Sequence, residues 1–215
     1  MTVLSVLVVS FFGAIFSADS TVVGQVMISR PIFCGPIIGL LLGDIEVGLK
    51  VGMIMELIWI TVVPMGVSLP PDSAIVTVIA TYLAARFSPE TGGNGYLVFY
   101  LLLIIPVGII FKKLDIIHRK YNSIFVSRME QKIDEKNFSY INKATYLSAL
   151  FFLLKAFFFL VIIIIASSLI LPCFYGIVPG NVRESLNILF YILPAVGLGT
   201  AMTTFFFKKS RGTVQ

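Results

Sequence analysis

Apolar residues dominate this chain in long, near-continuous runs, and charges, glycines and prolines fall mainly between them or singly within them. Runs over residues 3–16, 47–68, 96–111, 144–171 and 188–207 predict helices. Two further runs, 32–43 and 74–87, are short for a bilayer, which takes about 20 consecutive apolar residues. The first contains Gly35, Pro36, Gly39 and Gly43, and the second follows Pro70 and Pro71, a pair that no helix interior accommodates. Short apolar segments broken by Gly and Pro predict interrupted or re-entrant helices. Such backbone survives at membrane depth only where protein or a water-filled cavity satisfies it. The run at 3–16 lacks the leading positive charge of a signal peptide, since the first basic residue is Arg30, and reads as a retained membrane segment.

The pattern therefore predicts an all-α polytopic membrane protein with about six or seven hydrophobic segments, some of them broken. It divides into an N-terminal membrane block (1–111), a charged loop (112–143), a second membrane block (144–207) and a short tail (208–215). Composition supports this division. The chain of 215 residues is 58% hydrophobic and 13% charged, where soluble domains are about 45–50% and 25%. Its mean hydropathy is +0.99. These values exclude a soluble enzyme, a nucleic-acid-binding domain and a disordered chain.

Charge then gives orientation. Eight of the 16 basic residues lie in 112–143, and short loops rich in Lys and Arg stay in the cytoplasm. Lys208, Lys209 and Arg211 give the tail the same assignment. Two spans separate loop from tail, so the two signals agree and residues 88–95 should face outside. Cys34 and Cys173 lie in apolar surroundings without metal-ligand spacing, so neither a metal nor a disulfide framework is implied.

Glu56 stands inside VGMIMELIWITVV. A lone carboxylate at mid-bilayer costs about 2.5–3.5 kcal/mol, so a cation, water or a polar substrate must offset it. It reads as an acceptor for sugar hydroxyls or a proton carrier, or else as a protonated acid hydrogen-bonded to backbone or half of a structural pair, with Lys155 the candidate partner. Asp72, after the two prolines and before an apolar run, fits a helix N-cap and also a carboxylate displayed at membrane depth. Asp44, after Gly43, fits a turn. Arg30, ahead of Pro31, fits either an interfacial anchor or a counter-charge to one of these acids. His118, the only histidine, reads as an ordinary loop residue.

The stretch SRPIFCGPIIGLLLGDIEVGLKVGMIMELIWITVVPMGVSLPPDSAIV, residues 29–76, resembles the IIC membrane subunit of the mannose/sorbose family of the bacterial phosphoenolpyruvate-dependent phosphotransferase system. The resemblance rests on Arg30-Pro31, Gly39, Gly43-Asp44, Gly48, Gly52, Glu56, Gly66 and Pro71-Asp72 in that order. It implies a sugar-translocating permease subunit in the bacterial cytoplasmic membrane, all-helical with re-entrant hairpins, without a cofactor and not itself an enzyme. It further implies a IID membrane partner, IIA and IIB proteins that carry the phosphoryl group, and an assembly with copies of itself. Glu56, Asp72, Asp44 and Arg30 become candidate sugar-site residues, with Pro31, Gly43, Gly66, Pro70 and Pro71 shaping the backbone. Longer members of the family continue beyond the segment matching 188–207, so the chain reads as a short variant. Two alternatives stand beside this reading: a regulatory relative that moves no sugar, and an unrelated proton-coupled carrier built on Glu56.

Overall fold

The computed structural model describes residues 2–20, 22, 24, 26–60, 62, 71–89, 93–134 and 138–203, with the backbone alone over 124–134 and 138–144. Gly66 and Pro70 lie outside the described residues. Among the described residues there are seven helices and no strand: α1 (Val3–Asp19), α2 (Pro31–Leu42), α3 (Ile45–Trp59), α4 (Ser73–Arg86), α5 (Gly95–Asp134), α6 (Phe138–Ile177) and α7 (Gly180–Met202). Parts of α5 and α6, together with α7, are long and apolar enough to cross a membrane. The protein is an all-helical membrane protein.

The centre of the bundle is α4, whose residues from Ala74 to Ala84 are all buried, against α1, α2, α3, α5 and α6. A helix apolar on every side belongs in a core. Contacts at its two ends fix the direction of its neighbours. The Ser5 and Tyr82 hydroxyls are 3.4 Å apart, while Ser17 donates to Asp72, so α1 runs antiparallel to α4. The Tyr100 hydroxyl donates to the Phe87 carbonyl at 3.2 Å, and a Cβ on Gly108 would meet Val76, so α5 is antiparallel to α4 as well. Helix α6 returns along α5, from Asn122–Ser148 through Lys155–Asp115 to the Phe111–Phe159 and Phe99–Tyr175 ring contacts.

Helices α2 and α3 form a tight hairpin. It turns at Gly43, whose φ of +83° suits glycine, and Asp44 caps α3 by accepting from the Val47 amide at 3.1 Å. Its legs touch backbone to backbone. A Cβ on Gly48 would stand 2.5 Å from the Gly35 carbonyl oxygen and 2.8 Å from the Gly39 Cα, and one on Gly52 would stand 2.6 Å from the Pro31 carbonyl oxygen. At 12 residues, α2 is about 18 Å long, too short to span.

Three boundaries differ from the sequence reading. The segment 112–143, expected as a loop, is largely helix, because α5 runs on to Asp134 and α6 begins at Phe138. Its charge marks it as solvated, but it contains neither Gly nor Pro to end a helix. Among the described residues of the run 47–68, the helix ends at Trp59, with Ile60 and Val62 beyond it. Helix α7 starts at Gly180, ahead of the expected 188, because Pro179 opens it and Arg183 folds back onto the Tyr175, Gly176 and Val178 carbonyls that end α6.

Opposite sidedness of the two ends of α5 is directly measurable. Ser88 is exposed, as is Tyr121 at 64%. On a background lacking Cys34 and Cys173, Ser88→Cys should label with an impermeant maleimide from outside in intact cells, and Tyr121→Cys only after lysis. Labelling of both from one side would overturn the topology.

Candidate functional site

The broken helices bring their ends together. Arg30 stands at the N-cap of α2, where its backbone is extended and its side chain makes no cap bond. Instead, Glu56, near the end of α3, reaches across. Arg30 Nη1 donates to Glu56 Oε1 at 3.4 Å, and the Ile32 amide donates to Oε2 at 3.4 Å. A carboxylate at the N-terminus of a helix is favoured by the unpaired amides and the dipole there. The two side chains remain 27% and 18% exposed. Both bonds are long, and a carboxylate offers about four acceptor positions. Glu56 therefore keeps spare acceptor capacity.

Asp72 is placed differently. Its Oδ1 accepts from the Ala74 and Ile75 amides at 2.9 and 3.2 Å, capping α4 as the Pro-Pro-Asp-Ser pattern suggested, and its Oδ2 accepts from Ser17. Three internal donors occupy this carboxylate. Cys34, on α2, is wholly buried.

The level of these groups along the helices follows from helix rise. Asp72 is level with Gly108, since a Cβ there would lie 3.5 Å from the Asp72 carbonyl oxygen. Gly108 is 13 residues into α5 from Gly95, or about 20 Å at 1.5 Å per residue, and about 6 Å short of Lys112. Glu56 lies six residues past Lys50, about 9 Å, and Lys50 donates to Asn94, ahead of α5. Both acids thus lie along the helices, away from the Lys50–Asn94 contact and the Gly95 end of α5.

The structure corrects one expected partnership. Lys155 does not pair with Glu56. It donates to Asp115 Oδ1 at 2.8 Å, and Asp115 Oδ2 accepts from Arg119 at 3.0 Å. Phe111 and Phe152 cover the Lys155 ammonium with ring centroids at 4.9 and 4.2 Å, a cation–π arrangement. The counter-charge to Glu56 is Arg30. Asp44 is a cap remote from this pair, at the tip of the hairpin. His118 sets its ring edge-on to Phe152 at 5.8 Å.

Sequence reasoning missed Ser17, Asp19 and Asp115. Asp115 was hidden in a charge-rich segment, and Ser17 looked like an ordinary boundary serine. Asp19 carried a faint signal: an acid in the last turn of a helix opposes the dipole and calls for another reason to be there.

These features define an all-helical membrane protein whose broken helices bring Arg30 and Glu56 together. The chain belongs to the family described as the sorbose-specific IIC component of the phosphotransferase system, whose model matches residues 3–212. A curated relative, a putative N-acetylgalactosamine permease IIC component 2 of Escherichia coli K12, is 36% identical over 61 residues, covering 28% of this chain and 46% of that one. The mannose-specific EIIC component of the same organism is 24% identical over 145 residues, 67% of this chain and 52% of that protein. The matches thus span about half the length of these relatives. The solved structure of the mannose transporter ManYZ in complex with microcin E492 matches with a TM-score of 0.66 at 21% identity, over 96% of this chain and 81% of that chain. It shows the same fold.

Proposed function

We propose that the chain is a sugar-translocating permease subunit of a mannose-type phosphotransferase system in the bacterial cytoplasmic membrane. It acts with a IID membrane subunit, while separate IIA and IIB proteins carry the phosphoryl group. The observation that carries this reading is the Glu56 carboxylate, set within an apolar helix and held by two long bonds from Arg30 and Ile32. A sugar is a cluster of hydroxyls, each able to donate to a carboxylate and accept from a guanidinium, so this pair can grip one while exchanging its own contacts. Asp72, with its donors already in place, organises the site by fixing the start of α4. The IID partner is supported by the two-component transporter among the fold neighbours and by α7, which buries only Gly197 of its 23 residues.

Glu56→Gln tests the reading. The protein, co-expressed with a IID subunit, is purified and titrated with mannose, sorbose and N-acetylgalactosamine. A charge-assisted hydrogen bond contributes about 1.5–3 kcal/mol, so the best-bound sugar should weaken by about tenfold or more while the melting temperature holds. Unchanged affinity in a folded Glu56→Gln complex would remove Glu56 from the sugar site.

A further inference from the structure

Asp19 ends α1 and is 6% exposed. Among the described residues no cation reaches it. Its carboxylate accepts instead from the backbone: the Val26 amide donates to Oδ1 at 2.9 Å and the Ser29 amide to Oδ2 at 3.2 Å. The described part of the connection wraps around this side chain through two left-handed residues, Gly24 at φ +75° and Met27 at φ +67°. A left-handed conformation is easy for glycine and uncommon for methionine. Such a conformation persists where its surroundings over-determine it, and here the surroundings include the amides on either side of Met27, both held by one carboxylate.

The next bonds in the chain lead to the site. The Arg30 amide donates to the Met27 carbonyl at 3.0 Å, and the Phe33 and Cys34 amides return to the Arg30 carbonyl at 3.0 Å. Arg30 is thus fixed from both sides by its backbone, one residue beyond the Ser29 amide that Asp19 holds, and its side chain meets Glu56. We infer that Asp19 is a positioning residue of the sugar site: by gathering the Val26 and Ser29 amides it sets where Arg30 stands against Glu56. This inference rests on the sugar-site reading of that pair.

Asn is nearly the size of Asp but can accept at only one of its two side-chain atoms, so Asp19→Asn retains one bond and sets an amide nitrogen against the other donor. Asp19→Ala removes both. The test combines sugar titration of the purified protein, co-expressed with a IID subunit, with a second readout that needs no sugar, the rate at which phenylglyoxal modifies Arg30, followed by mass spectrometry. Asp19→Asn and Asp19→Ala should each raise the Arg30 modification rate severalfold and weaken sugar binding about tenfold. On an Arg30→Ala background, Asp19→Asn should weaken binding no further, because residues that act through one another are non-additive.

Independent losses in the double variant, or an unchanged Arg30 modification rate, overturn the inference. So does an Asp19→Asn protein that does not fold, which would make Asp19 a determinant of the fold alone. If Arg30→Ala binds sugar normally while Asp19→Asn still exposes Arg30, the sugar-site reading fails and the positioning of Arg30 stands.

Discussion

Gly48→Ala is expected to abolish accumulation of folded protein. The new methyl would sit 2.5 Å from the Gly35 carbonyl oxygen and 2.8 Å from the Gly39 Cα. Both are backbone, so no side chain can swing away. Relief requires the legs of the α2–α3 hairpin to separate, and the whole glycine-lined seam would lose contact with them. Bilayer helices associate through close packing of small residues because lipid offers no hydrophobic drive between them, so the seam has nothing to replace it. Overpacking of a tight site costs about 1–3 kcal/mol where side chains can give, and here the cost should exceed that. Gly43→Asn is the control. Nothing lies within 4 Å of a Cβ there, and Asn tolerates the left-handed turn, so it should fold. A Gly48→Ala protein with wild-type expression and fluorescence-detected elution profile would show that the hairpin is looser than described.

The second large effect is expected at Asp115. Removing it leaves the Lys155 ammonium between Phe111 and Phe152 with no carboxylate in contact among the described residues. Breaking a buried ion pair by removing one partner costs about 3–5 kcal/mol, while replacing both partners with apolar residues is often neutral or stabilising. Asp115→Leu should therefore lower the melting temperature of the purified protein strongly, and Asp115→Leu with Lys155→Met should restore most of it. A double variant no more stable than Asp115→Leu alone would show that the pair does more than neutralise itself.

The extent to which the sequence could be read differs from residue to residue. A carboxylate inside an apolar run needs a counter-charge, and Glu56 announced that need. Its partner was not legible, because Arg30 and Lys155 both satisfied the requirement in one dimension. The register of α2 on α3 decides between them, and glycine contacts at 35, 48 and 52 set that register. Asp72 was legible as a cap because Pro-Pro-Asp-Ser before an apolar run has few other uses. The basic segment was misread in shape for a physical reason: charge reports where a segment lies, while the absence of Gly and Pro reports whether it coils. Asp19 bonds to amides up to ten residues away, in a turn whose left-handed residues include a methionine, and no local pattern marks that.

Helix α4 carries a consequence for how the protein is made. Its 14 residues amount to about 21 Å, and the stretch from Ala74 to Ala84 presents nothing to lipid. Its Asp72 cap is completed by Ser17, far earlier in the chain, and its flank at Gly108 belongs to a helix not yet synthesised when Arg86 leaves the ribosome. Such a segment cannot partition into the bilayer as an independent unit, so insertion has an order: α4 has to wait beside α1 until α5 and α6 arrive to enclose it. The long helices α5 and α6 thus serve α4 as its membrane, and biogenesis is where the early and late parts of the chain first depend on each other.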